Sequence, residues 1–421
     1  MAHRILQIFL CFFVGLAAAF AADPTSTSFP WADCQGSYRP YPAPEHPAVY
    51  PDSLKPVMIN HVGRHGARFP SSPKAVTRLL GALRAADARK TITPLGRNLM
   101  TIAQEVISAV DGRWGALDDL GKAEQRGIAS RMYIAFPDLF KNSVINAISS
   151  YAPRCIMSMD EFTHQLSRMN NRVELNLASG RRFSQLVRFF DDNNEYKEFR
   201  KSEALNSMYN AFIKEHCPLE PIERVLGAKF DFESYSETRQ TLALDEFTVL
   251  SGLSAMSMTV DASKYFTPEE MNALWAVSNI RRYLEYSASV LTPVTSAMAS
   301  PLLEDLIATT EAFVGGSEGV AKVNLRFGHA ETLMPLLALM RVPGCYYLTN
   351  YLSTVAQHWQ TFNIVPMAAN LQLILFRSDS GRYYLRTDLN ERPFSLIPGR
   401  NSLYVPWPEA REYLRNCLPV I

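Results

Sequence analysis

Apolar positions in this chain recur at two spacings, and the alternation between them divides it into elements. An apolar run at 57–60 (VMIN) reads as a buried strand that leads into a polar turn, RHGARFP at 64–70. Ser71-Ser72-Pro73 then starts a helix over 74–86, with Val76, Leu79, Leu80 and Leu83 at helical spacing. Helical patterns follow at 93–110 and 121–135, the second stopped by Phe136-Pro137. The stretch 143–151 predicts a strand running into Pro153-Arg154. From 162 to about 310 the pattern is helical and rich in charge, with few strand-like runs. A strand returns at 320–327, ends at Gly328-His329-Ala330-Glu331 and passes into a helix at 332–340. Residues 370–377 and 382–388 predict a strand pair about Ser380-Gly381, and a short helix near 408–417 closes the pattern. The segment 23–56 holds too many prolines for regular structure and is expected to wrap the surface as an extended arm.

Strands alternating with helices at both ends predict an α/β fold with a mostly parallel sheet flanked by helices. Residues 22–161 and 311–421 would form this domain, interrupted by a smaller all-α domain at 162–310. In such sheets ligands bind at the carboxyl ends of strands. Three polar motifs fall there: Arg64, His65 and Arg68; Arg154; and His329 with Glu331. Together they offer three arginines, two histidines and one carboxylate, which is a phosphate pocket with a nucleophile and an acid. Burying two guanidiniums beside an imidazole without an anion would be costly, so the 64–70 turn reads as a site. The helix at 74–86 would aim its free N–H groups at the same place.

Gly315-Gly316-Ser317-Glu318-Gly319 matches the G-x-S-x-G pattern of serine hydrolases, but its expected context is helix, loop, strand, so it reads as a loop. No Walker-type loop, H-E-x-x-H or acidic cluster of metal-ligand spacing occurs, and the expected chemistry is free of metal and cofactor.

Composition refines this picture. At 421 residues, 47% hydrophobic and 20% charged, the chain is globular. Residues 1–21 follow signal-peptide anatomy: Arg4, an apolar run from Ile5 to Phe20, and Ala19-Phe20-Ala21 as a cleavage site. The expected protein is therefore exported, secreted or periplasmic, with no stable membrane insertion after cleavage. Cleavage removes only Arg4, leaving 41 basic and 41 acidic residues. An anionic ligand must then be held by charge concentrated in one cleft, and nucleic acid is not an expected partner. Five cysteines remain, Cys34, Cys155, Cys217, Cys345 and Cys417, of which some are expected to pair in an oxidising compartment.

RHGARFP resembles the RHGxRxP signature of the histidine acid phosphatases, the phytase-containing branch of the phosphoglycerate-mutase-like fold. Most of that branch has His-Asp at its second motif; the His329-Ala330-Glu331 found here is similar to the multiple inositol polyphosphate phosphatases. The segments LDDLGKAEQRGIASRMYIAFPDLF, SSYAPRC, LVRFFD, NIVPMAANL and NERPF extend the likeness from about 57 to 417, weakest between 192 and 310. The resemblance implies that His65 is the nucleophile that forms a phosphohistidine. It implies further that Arg64, Arg68, Arg154 and His329 clamp the phosphate oxygens, and that Glu331 protonates the leaving alkoxide. Glu331 stands one residue later and one methylene longer than the usual aspartate. An ordinary glutamate, with a pKa of about 4.3, implies an acidic to mildly acidic optimum. The implied substrate is an inositol polyphosphate, phytate first among them, whose outer phosphates would need further cations; Lys74, Arg188 and Arg281 are the candidates. A broad acid phosphatase and a non-catalytic binder of anionic sugar phosphates are the rival readings.

Overall fold

In the computed structural model, which describes residues 28–419, strand β1 (Leu54–Arg64) occupies the middle of an eight-stranded sheet. The other strands are β2 (Val144–Ser149), β3 (Glu174–Ser179), β4 (Val323–Gly328), β5 (Asn370–Ser378), β6 (Tyr383–Leu389), β7 (Arg392–Phe394) and β8 (Val405–Pro406). Their order is β3-β2-β4-β1-β5-β6-β7, with β8 paired to β6. β3, β2, β4 and β1 run parallel, and β5 to β8 extend the sheet antiparallel, so it is mixed. The expected signal segment and Cys11 lie outside the described residues.

β1 is buried on both faces from Met58 onward, where Met58, Ile59 and Val62 pack apolar and Asn60 and His61 are buried polar residues. Ile59 joins an apolar layer with the helices Asp119–Ala135 and Pro153–Met169, while Met58 and Val62 join another with Ser300–Val314 and Ala330–Leu339. The register sets Arg64 beside Gly328 and Ser149 beside Phe327. Three parallel strands thus end at one level, and the motifs that follow them emerge side by side.

The domain division expected at 162 needs correction. That boundary cuts the helix Pro153–Met169, and β3, at 174–179, is an edge strand of the sheet. β3 escaped the sequence reading because an exposed edge strand (ELNLAS) needs no buried apolar run. The helices Lys74–Ala88 and Pro94–Val110 also share one apolar core with Arg239–Gly252 and the first half of Pro268–Tyr286. The helical layer therefore draws on chain from both sides of the boundary. In the proline-rich arm a short helix (Trp31–Cys34) and a 3-10 turn (Gly36–Tyr38) form where extended chain was expected. The five described cysteines are all free. The expected pairing is therefore not formed among them: Cys34 lies in the helical core, Cys155 against the Gly328 carbonyl, and Cys345 and Cys417 in the core that also holds Met58 and Val62. Residues 315–319 form the loop between Ser300–Val314 and β4.

One buried carboxyl makes stability depend on pH. Glu246 is fully buried, neither oxygen has a hydrogen-bond partner among the described residues, and burial pushes it up to about 8. Arg224 pulls it back only in part, being paired with Glu270, which itself pushes Glu246 up. An unfolded glutamate ionises near about 4.3, so the native state holds the extra proton between that pH and 8, and stability falls as pH rises through the window. Glu246→Gln is expected to melt with the wild type at about pH 4 and to be more stable at about pH 8, by on the order of 4 kcal/mol. Denaturant unfolding at both pH values measures this; an equal difference at both would refute it.

Candidate active site

The turn after β1 is fixed from several sides by backbone-directed bonds. Arg64 N–H donates to the Ala369 carbonyl (2.7 Å) and His65 N–H to the Gly328 carbonyl (3.1 Å). Ser158 Oγ accepts from Gly66 N–H at 3.1 Å, Glu124 from Ala67 N–H at 2.7 Å, and Gln125 Nε2 donates to the Arg64 carbonyl at 2.9 Å. Gly66 lies against the backbone of Gly121, where a Cβ would stand 2.3 Å from the Gly121 carbonyl oxygen. Glycine is required at both positions because two main chains touch there. The segment Asp118–Gln125 that supplies this clamp was legible as a family-like stretch, but its anchoring task was not.

His65 is buried, and its Nδ1 lies 2.9 Å from the Gly66 carbonyl. A carbonyl only accepts, so Nδ1 carries the proton and Nε2 keeps its lone pair. Burial, then the charges of Arg154, Arg64 and Arg68, hold the imidazole well below its usual range, which keeps it neutral and nucleophilic.

His329 follows β4 and caps the helix Ala330–Leu339, its ring centroid 5.6 Å from that of His65. Its N–H donates to Thr332 Oγ1 at 3.0 Å, and Thr332 donates on to the Val187 carbonyl at 2.6 Å. Around the ring stand Arg188 Nη1, 2.8 Å from Nε2, Arg154 Nη2, 3.3 Å from Nδ1, and Ser150 Oγ, 3.0 Å from Nε2. Burial, then Arg154, keeps this imidazole neutral as well. Guanidiniums only donate, and a neutral imidazole accepts at one nitrogen alone, so the two arginines cannot both be satisfied by the ring. An anion between them would supply the missing acceptors.

The same deficit recurs across the cluster. Arg64 Nη1 donates to the carbonyls of Ser37 (2.7 Å) and Val365 (2.5 Å), and Arg68 Nη1 to that of Phe69 (2.8 Å). Yet the Nε atoms of Arg64, Arg68 and Arg154 are buried with no partner among the described residues. Burial, then Arg68, pulls Arg64 down to about 9, the mark of cations gathered close together in a buried place.

Glu331 stands in the first turn of its helix and accepts from Arg282 Nη1 at 3.0 Å. Burial works to raise this carboxyl, but Arg282, with a backbone hydrogen bond and Arg64, outweighs it and holds it at about 2. The expectation of an ordinary glutamate therefore does not hold among the pocket's own side chains.

The structure brings together Arg64, His65, Arg68, Arg154, His329 and Glu331, and adds Arg188, whose Nε also pairs with Asp191 while its guanidinium lies over Tyr151. Lys74 lines a cleft of about 340 Å³ next to Arg68 and Pro70. Arg281 is not in the pocket: an i,i+4 pair with buried Glu285 at 2.7 Å takes it to the neighbouring cleft. Arg282, one residue on, is the cation that reaches the acid, and the sequence reading missed it. The i,i+4 spacing of Arg281 and Glu285 was the available signal, since it commits Arg281 and leaves Arg282 on the adjoining strip of the helix. Among the described residues no group of three or more His, Cys, Asp or Glu is placed to hold a metal ion.

Residues 57–390 match the histidine phosphatase superfamily (branch 2). The chain is 25% identical over 391 residues to multiple inositol polyphosphate phosphatase 1 of Gallus gallus, covering 87% of this chain and 83% of that one. It is 22% identical over 365 residues to the Homo sapiens protein of the same name, covering 80% and 74%. In fold it is similar to a Bifidobacterium longum multiple inositol polyphosphate phosphatase solved with inositol hexasulfate (TM-score 0.75, 17% identity, 91% of this chain and 97% of that one).

Proposed function

The chain belongs to branch 2 of the histidine phosphatase superfamily, and from that premise we propose that it hydrolyses inositol polyphosphates, phytate among them, through a phosphohistidine on His65. The observation that carries this reading is the neutral His65 with a free Nε2 lone pair, set among guanidiniums whose buried Nε donors have no acceptor among the described residues. A phosphate seated there takes up those donors, and its phosphorus comes to the unprotonated Nε2 of His65. Nε2 attacks, the P–O bond to the sugar breaks, and the alkoxide takes a proton from Glu331. The resulting Glu331 carboxylate then activates water, whose oxygen displaces the histidine and frees inorganic phosphate. Throughout, Arg64, Arg68, Arg154 and Arg188 face the phosphoryl oxygens, where charge develops.

Lys74 beside Arg68, and the arginines of the cleft beyond Arg282, support a substrate with several phosphates. The named activity of the Gallus gallus and Homo sapiens relatives supports the same substrate class. The test is kcat/KM for phytate against nitrophenyl phosphate, with chromatographic identification of the first products. A preference for phytate of at least about 10-fold, as expected for one added charge-assisted contact, supports the reading. A preference for the aryl ester would replace it with a broad acid phosphatase, and binding without turnover would replace it with a sugar-phosphate binder. Among the described residues no helix is long and apolar enough to cross a membrane. The signal-like residues 1–21 support export, secreted or periplasmic.

A further inference from the structure

Resting on the phosphatase reading, we propose that Arg282 is a positioning residue that holds Glu331 ionised until a second phosphate of the substrate draws it away, so that the acid is armed only by polyphosphorylated substrates. Among the described residues Glu331 is Arg282's one hydrogen-bonding and ion-pairing partner, at 3.0 Å, and both side chains are partly exposed, at 34% and 25%. Arg281, the preceding residue, is by contrast pinned to Glu285. Arg282 also lines the cleft of about 370 Å³ that opens beside Ser37 and Tyr38. That cleft presents Arg200, Arg281 and Arg282, whose ion pairs are with two carboxylates, Glu285 and Glu331, so one positive charge is left over for an anion. Tyr38 lies 5.9 Å from the Arg68 guanidinium and lines both this cleft and the one at Lys74, which ties the two to the catalytic turn.

A phosphate carries more charge than a carboxylate and matches the guanidinium fork equally well, so in the cleft it competes for Arg282. The exchange removes the cation nearest Glu331 and sets an anion close by, and both changes favour the protonated acid. The remaining groups that act on Glu331 are His329 on its own helix and Arg64 after β1, while Tyr286, Arg68 and Cys155 feel its charge in turn. Arg64 and Arg68 are engaged by the scissile phosphate whichever substrate is bound. The proton that Glu331 gains comes from solvent and passes to the leaving alkoxide as the P–O bond breaks. A monophosphate fills the catalytic pocket, leaves Arg282 in place, and meets an ionised carboxylate.

The experiment is the pH dependence of kcat, which reports the enzyme–substrate complex, for phytate and for phenyl phosphate. In the wild type the high-pH limb for phytate should lie at least about one pH unit above that for phenyl phosphate, the size of shift one neighbouring charge produces. In Arg282→Gln the phenyl phosphate limb should move up by a similar amount, the gap should close, and KM for phytate should rise about 10-fold. Arg282→Lys, which keeps the charge, should restore the gap. Coincident limbs in the wild type overturn the proposal and need no variant. An unmoved phenyl phosphate limb in a folded Arg282→Gln overturns it too. Wild-type protein that turns over neither ester would overturn the phosphatase reading and this proposal with it.

Discussion

Replacing His65 with alanine is expected to lower phosphate release from every phosphomonoester by at least about 10⁴-fold while inositol hexasulfate, an analogue that cannot be hydrolysed at phosphorus, still binds. The expectation rests on the tautomer. The Gly66 carbonyl holds the proton on Nδ1 and leaves the lone pair on Nε2, in a ring that feels the charges of Arg154, Arg64 and Arg68. Arg64, Arg68 and Arg188 do not depend on the His65 imidazole for position, and Arg154 bonds to His329 instead. Arg64 is held by Ser37 and Val365, Arg68 by Phe69, and Arg188 by Asp191. Anion binding should therefore outlast the loss of chemistry. Calorimetric titration with the hexasulfate, beside a phosphate-release assay, measures both. Release within about 10-fold of wild type would remove His65 from the nucleophile's role.

The second large effect concerns the acid. Glu331→Gln keeps the side chain's length and an acceptor toward Arg282, and removes both the transferable proton and the carboxylate's charge. An inositol alkoxide is a poor leaving group without that proton, so kcat for phytate is expected to fall about 10²–10⁴-fold. Nitrophenolate leaves without a proton, so its release in the first turnover should change far less. The pH dependence follows with a definite sign. Glu331 acts as a donor only when protonated, and the pocket's own cations hold it at about 2, so activity falls as pH rises through whatever higher value the bound substrate gives it. In the Gln variant that limb should vanish. A limb that persists unchanged would mean that another group supplies the proton.

What could be read from the sequence was set by how local each signal is. The turn at 64–70 stands out because two arginines and a histidine at the end of an apolar strand have few structural uses. The strands at 57–60 and 320–327 were legible as apolar runs because the sheet is buried on both faces there, and 143–151 because alternate residues of β2 are buried. β3 was not legible, because an edge strand with four of its six residues exposed satisfies its backbone without an apolar signature. The clamp by Glu124, Gln125 and Ser158 acts on backbone atoms 57 to 92 residues away, and no spacing in a single sequence encodes that pairing. Lys74, Arg188 and Arg281 were three surface-type cations to choose among. Arg188 reaches His329 because Asp191 orients it one turn away, whereas Arg281 is consumed by Glu285. The proline-rich arm looked like wrapping, yet its Ser37 carbonyl receives Arg64, so it forms part of the wall of the pocket.

A covalent intermediate on His65 is the centre of this account, and Glu331→Gln provides the means to catch it. With the water-activating carboxylate gone, nitrophenyl phosphate should phosphorylate the enzyme faster than water can release it. Rapid mixing should then show a burst of about one nitrophenol per active site. An alkaline quench followed by peptide mass spectrometry should place one phosphoryl group on His65. Absence of a burst together with an unmodified His65, or a phosphoryl group mapped to another residue, would contradict the mechanism.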